Sequence, residues 1–293
     1  MAEKSEDEIV PIRRRHLAIR LRKAREERGL LAEAVAKWAG FSQSTLSRIE
    51  NAKQRIQVKH VRLLANRYGL EAGELALLLS MAEKSDHRGL LVAHASTIPD
   101  FAAAYFDLEQ IAVEMWVYEP GVVFGLLQSP EYVRALRQRD QPTATAEELR
   151  ASVALRQARQ DAVVAQRPTI RLVLDEAVLH RLVGSDAVMA DQLRRLREVS
   201  TDPSMNLTLQ ILPFAQGGQY GVGMGFTILK FGDSPVMNVV YTEHIQSASY
   251  LEAPLDVSRY VDQFNLISES ALPPADSRTL LTTLMTDLWN STD

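Results

Sequence analysis

Phe41-Ser42-Gln43-Ser44-Thr45-Leu46-Ser47-Arg48-Ile49-Glu50-Asn51 reads as a short two-faced helix. Ser42 is placed to cap it, because a hydroxyl there accepts a hydrogen bond from a free amide of the first turn. Leu46 and Ile49, three apart, share a face that turns inward. Gln43, Ser44, Ser47 and Arg48 occupy the other face. These side chains suit base edges and phosphates: Gln pairs bidentately with adenine, Arg with guanine, and Ser reaches either. Surface helices of this kind are common, so the preceding residues decide the reading. Leu31-Ala32-Glu33-Ala34-Val35-Ala36-Lys37-Trp38-Ala39-Gly40 puts Leu31, Val35, Trp38 and Ala39 on an i, i+4, i+7, i+8 stripe. Gly40 suits a sharp turn with positive φ, and small Ala36 lets the next helix approach. Helix, glycine turn, then a helix with an outward polar face is a helix-turn-helix arrangement.

Residues 17–70 resemble the lambda-repressor-like (XRE) DNA-binding domain, and Gly40 to Asn51 match its motif closely. The resemblance implies that Gln43, Ser44 and Arg48 read bases, with Thr45 and Ser47 beside them. It also implies that Asn51, Lys53 and Arg55 lie in a loop that holds phosphates. Arg25 and Glu50 match a structural pair that ties the first helix to the end of the recognition helix. The chain departs from the family at the start of the second helix, where Thr or Ser followed by Gln usually clamps a phosphate. Leu31 and Ala32 stand there instead, which leaves the helix N-terminal amides for that task.

The chain has 293 residues, enough for two domains. It has no uninterrupted apolar run long enough to span a bilayer, and Met1 to Glu8 is acidic and polar, unlike a secretory signal. The absence of cysteine excludes disulfides, thiolate metal sites and cysteine nucleophiles. A cytoplasmic protein with no membrane partner is expected. Its net charge of −4 hides a strong segregation. Residues 11–70 carry fifteen Lys/Arg against four Asp/Glu, a balance of +11, leaving 18 basic and 33 acidic residues, or −15, elsewhere. The front quarter alone has the electrostatic footprint of a duplex binder, while the acidic remainder should face away from DNA.

Residues 1–11 read as a disordered tail. Arg13, Arg14 and Arg15 suit either an arm on the DNA backbone or a charged helix start. Leu17, Leu21 and Ala24 form the stripe of a first helix that Gly29 ends. Val61, Leu64, Ala65 and Tyr68 trace a fourth helix, and a fifth spans 72–81 with Leu75, Leu78 and Leu79 inward. The N-terminal domain is thus an all-α five-helix bundle over 12–81, followed by a linker at 82–97. The remainder, 98–293, reads as a mixed α+β domain with a helical front half and a small sheet. Helices are expected at 100–117, from Ser129-Pro130 onward, at 146–166, 176–183, 186–200, 254–271 and 277–289. Strands are expected at 169–174, 205–212, 225–231 and 236–241, with Gly232-Asp233-Ser234-Pro235 turning the last two into a hairpin.

This second part carries Phe124-Gly125-Leu126-Leu127-Gln128-Ser129-Pro130-Glu131-Tyr132, and then Leu174-Asp175-Glu176, Val183-Gly184, Gln192-Leu193 and Leu212-Pro213 in order. These motifs resemble those of actinobacterial regulators related to WhiJ, also called antitoxin-like. Phe124 replaces a usual Pro, and Ser129 a usual Thr. The resemblance covers about residues 17–290. It implies a transcription regulator whose C-terminal domain engages a small companion protein, often encoded next door.

No constellation supports catalysis. The glycine-dense run 217–225 lacks the Gly-Lys-Ser/Thr ending of a P-loop, and a strand follows it. Asp175, Glu176 and His180 fit a helix cap and a surface ion pair, with no second ligand pair for a metal. Glu243-His244 reads as two polar residues leaving a sheet. No cofactor or metal is expected. The sequence therefore describes a sequence-specific, double-stranded-DNA-binding regulator, a homodimer reading two half-sites about 34 Å apart. The alternative gives the C-terminal domain a small-molecule pocket lined by Tyr220, Met224 and Tyr241, with the 217–225 loop as lid.

Overall fold

The computed structural model describes residues 12–83, 97–98, 100–216, 223–232 and 238–289. The expected tail, most of the linker, Tyr220 with most of the glycine-dense loop, and the tip of the expected hairpin lie outside them. Two compact units result: a helical one of residues 12–83, and an α/β one holding nearly all that follows.

The helical unit contains α1 (Ile12–Glu27), α2 (Ala32–Ala39), α3 (Gln43–Glu50), α4 (Val58–Tyr68) and α5 (Ala72–Glu83). Arg13 to Arg15 belong to the first turn of α1 and not to an arm. Leu17, Leu21, Ala24, Val35, Ala36, Leu46, Ile49, Val61, Leu64, Tyr68, Leu78 and Met81 form its core. On α2 the inward positions are Val35 and Ala36, whereas Leu31 and Trp38 are exposed. An eight-residue helix has only two turns, so the broad stripe expected for it narrows to the residues that meet its neighbours. The Trp38 ring is covered by the Arg67 guanidinium, 5.3 Å from its centroid. On α5, Met81 and Ala82 join Leu78 inside, while Leu75 and Leu79 are only half-buried.

The α/β unit runs α6 (Asp100–Glu109), β1 (Glu114–Glu119), α7 (Pro130–Asp140), α8 (Ala146–Gln166), β2 (Thr169–Asp175), α9 (Glu176–His180), α10 (Asp186–Val199), β3 (Leu207–Leu212), β4 (Phe226–Lys230), β5 (Val239–Glu243), β6 (Ala248–Leu251), α11 (Pro254–Ser270) and α12 (Pro274–Asp287). Its six strands form one mixed sheet in the order β3-β2-β1-β4-β5-β6. β1 pairs in parallel with β2, and β2 with β3; the other three pairings are antiparallel. On one face Trp116, Tyr118, Val173, Phe226, Ile228 and Val240 pack against Val257, Phe264 and Ile267 of α11. Two cations lie over that core. Arg171 sits 4.2 Å and Lys230 3.5 Å from the Trp116 ring centroid.

Two strands were not anticipated, β1 and β6. The expected helix 100–117 ends at Glu109, and its remainder becomes the central strand. Met115 to Tyr118 is buried on both sides, and such a strand shows no alternation that would separate it from a continuing apolar helix. The expected pairing of the last two strands is present as β4 and β5, with Thr227 opposite Tyr241 and Leu229 opposite Val239.

The motifs quoted above are joints of this framework. Gln128 donates its amide to Val123 O at 2.6 Å, Ser129 caps α7 at Tyr132 N, and the Tyr132 hydroxyl accepts from Val123 N–H. Gln192, fully buried on α10, accepts from Ser129 N–H at 2.7 Å and donates to Leu127 O at 2.9 Å. Asp175 caps α9 through Ala177 N–H. Glu176 accepts from Phe214 N–H and lies 3.2 Å from His180 Nε2.

Gln192→Ala leaves the buried Ser129 amide without its acceptor, while Leu127 O keeps Arg195 Nε at 3.1 Å, so it should destabilise the chain by about 1–3 kcal/mol. Asp191→Ala next door removes only an exposed pair with Arg194 and should change stability by less than about 0.5 kcal/mol. Urea denaturation followed by tryptophan fluorescence measures both. Equal effects would contradict the assignment of Gln192 as a joint.

Candidate nucleic-acid interface and a cleft in the second unit

α2 ends on Gly40 at φ +74°, and Phe41 N–H bonds Ala36 O at 2.8 Å, so the chain reverses within two residues. Ser42 then caps α3, its Oγ accepting from Thr45 N–H at 3.1 Å. The same oxygen lies 2.9 Å from Ser44 Oγ and 2.8 Å from Thr45 Oγ1. Leu46 and Ile49 are buried beneath, and Gln43, Ser44, Ser47 and Arg48 are exposed above. Thr45 is half-buried and turned toward the cap.

Arg25 and Glu50 form a buried bidentate pair: Nε to Oε1 is 2.7 Å and Nη2 to Oε2 is 2.9 Å. Arg25 Nη1 also donates to Leu30 O at 2.8 Å. The end of α1, the following turn and the end of α3 are thereby tied together. Asn51 donates its side-chain amide to Ser47 O at 2.7 Å, closing the C-terminus of α3. Lys53 and Arg55 are exposed in the loop beyond. Leu31 makes no side-chain cap of α2 and is 75% exposed, so the amides at the start of that helix are the donors on offer there.

The α/β unit holds a cleft of about 820 Å³ on the sheet face opposite α11. Tyr105 and Phe106 of α6, Glu119 at the end of β1, Arg156 and Arg159 of α8, and Tyr241 of β5 are in its walls. Tyr105 stacks on Tyr241 with ring centroids 4.2 Å apart. Arg159 is saturated by Glu109, through Nε to Oε2 at 2.9 Å and Nη2 to Oε1 at 2.8 Å, and lies 3.8 Å from the Phe106 centroid. Glu119 is held in its protonated form up to about 8, by burial first and then by the charge of Glu243, against the pull of Arg156. The same surroundings, burial first and then the charge of Arg159, bring Arg156 down to about 10, where it still carries its proton at neutral pH. Glu243 accepts from the Tyr241 hydroxyl at 2.8 Å and stands with His244 in the cleft wall.

Of the three residues named from the sequence as a pocket, Tyr241 lines this cleft. Met224 is exposed and outside its wall, and Tyr220 is not among the described residues. Arg156, Glu119 and Tyr105 escaped sequence reading. Each sits in a segment whose local pattern describes an ordinary helix or strand end, and only tertiary folding brings them together.

Residues 16–78 match the model of a helix-turn-helix domain, which with the α2–α3 geometry makes the chain a DNA-binding regulator of transcription. Residues 102–283, well over half of the chain, match a family described as a domain of unknown function (DUF5753), and the chain belongs to that family. No curated protein and no solved structure matches the chain. Among the described residues no helix is long and apolar enough to cross a membrane.

Because Glu119 keeps its proton to about 8 when folded but loses it near 4.5 when unfolded, its stabilising contribution is whole below about 4.5 and is lost as pH rises through 8. Glu119→Gln should therefore raise the melting temperature relative to the parent more at pH 9 than at pH 5. A gain independent of pH would show that this carboxyl ionises normally.

Proposed function

We propose that the chain is a homodimeric, sequence-specific regulator that lays α3 in the major groove of double-stranded DNA. One observation carries this reading: Gln43, Ser44, Ser47 and Arg48 are exposed above a buried Leu46–Ile49 seam, within a segment of charge +11. Gln43 and Arg48 would read base edges, with Ser44, Thr45 and Ser47 beside them; Asn51, Lys53 and Arg55 would hold phosphates. One such helix reads few base pairs, so two copies on half-sites about 34 Å apart supply the needed specificity. The protein would work in the cytoplasm.

The resemblance to WhiJ-related, antitoxin-like regulators supports a C-terminal domain that docks a small companion protein encoded nearby. The boundaries 12–81 and 98–293, with a linker between, separate these two tasks. The cleft favours a second reading, in which the C-terminal domain senses a small molecule and transmits its presence to the DNA-binding unit.

The test begins with selection of binding sites from a random duplex pool, followed by mobility shifts in varied salt. Arg48→Ala should weaken binding by about 1–3 kcal/mol and relax preference at one position. Lys53→Ala should weaken all sequences alike and lower the salt slope by about 1. Failure of the pool to enrich, or an Arg48→Ala effect equal on every sequence, would overturn base reading by α3.

A further inference from the structure

Two arginines three residues apart on α8 enter the cleft with opposite fates. Arg159 has a full bidentate carboxylate partner in Glu109 and an aromatic ring beneath it. Arg156 makes no hydrogen bond or ion pair with any described residue. Its guanidinium is pressed against Gly125: a Cβ at that position would fall 1.9 Å from Nη1. Glycine therefore leaves room for this cation, and its fork lies along the cleft wall. Arg156 is half-buried, and Glu109 and Glu243 act on it by charge without a hydrogen bond, so its fork keeps donors to offer an anion.

The neighbours narrow what that anion is. Glu243 already accepts from Tyr241, and Glu119, protonated at neutral pH, offers a donor in place of a competing charge. The planar fork of Arg156 beside one neutral carboxyl matches a singly charged, planar carboxylate; Arg137 stands in the same wall, its buried Nε without a partner among the described residues. A phosphate dianion would have to engage Arg137 as well as Arg156. Tyr105, Phe106 and Tyr241 supply apolar walls, and about 820 Å³ is the size of a small-molecule site.

We infer that this cleft binds a small organic acid, its carboxylate on the fork of Arg156 and its apolar or aromatic body against Tyr105, Phe106 and Tyr241. The inference deepens the sensor reading above and rests only on the α/β unit, so it stands apart from DNA recognition.

Full-length protein is titrated calorimetrically, without duplex, with 3-phenylpropionate, its neutral amide, the matching 3-phenylpropylamine and inorganic phosphate. The acid should bind about tenfold tighter than the amide, as one charge-assisted fork predicts, and the amine and phosphate should bind less well than the acid. Arg156→Gln should abolish the preference for acid over amide. Arg156→Lys, which keeps the charge but not the fork, should keep only part of it. Circular dichroism melts confirm that both variants are folded, and retained amide binding confirms that the cleft is intact. Amine or phosphate outranking the acid, no binding of any probe, or an acid preference that survives in Arg156→Gln would overturn the inference. Repeating the mobility shift with the acid present separates the two ideas. Arg156-dependent binding with no effect on DNA keeps the site and removes its role as a sensor.

Discussion

The bidentate contact between Arg25 and Glu50 is the constraint on which the exposed face of α3 depends. α3 is only eight residues long and buries two large apolar side chains, Leu46 and Ile49, too little to fix its angle by packing alone. Arg25 spends its donors on both oxygens of Glu50 and on Leu30 O, so one guanidinium holds three points of the backbone path. Pairs of this kind contribute little net stability, because desolvation offsets attraction, yet losing one partner costs about 3–5 kcal/mol. The contribution of this pair is positional. Ser42 does the same work at the other end of the helix, and between them the exposed side chains of α3 stand on a rigid base.

The legibility of each part followed from the range of the forces that form it. The helical unit is built from contacts close in sequence. Its glycine stops, its Ser42 cap and its 3.6-residue apolar spacing all announced the elements where they lie, and Pro142 and Pro168 bracket α8 in the sequence. β1 was hidden for the opposite reason. Met115-Trp116-Val117-Tyr118 is apolar on both faces because it is the middle of a sheet, and its identity as a strand depends on residues 169–174 and 226–230. β6 lacked any run of β-branched residues to mark it. Leu31 and Trp38 have the spacing of a buried stripe, but a two-turn helix meets its neighbours through Val35 and Ala36 and leaves those two outside.

The motifs of the second unit were visible as strings, while their roles were not. In the structure Gln128, Ser129, Tyr132 and Gln192 form one buried hydrogen-bonded joint between α7, α10 and the turn before α7. Asp175 and Glu176 pin the end of β2 to α9 and to Phe214. They shape the scaffold around the cleft, and Gly125 and Gln128 of the first motif also line it. Arg156 reads in sequence as one more charge on a long polar helix, and only the approach of Gly125 singles it out. The exposed polar face of α3 was legible because one short helix carries it; the cleft draws on residues from 97 to 245 and so was not.

The sheet topology also dictates an order of events. Glu114 on the central strand meets Lys230 across the sheet, although 116 residues separate them. Loop closure on that scale is slow, whereas a bundle of short local contacts closes quickly. During synthesis the helical unit can thus complete itself while β4 to β6 are still unmade. For that interval the nascent chain presents a finished cationic head and an unsealed sheet edge at β1, so the α/β unit is the half that depends on time and on protection from stray strands.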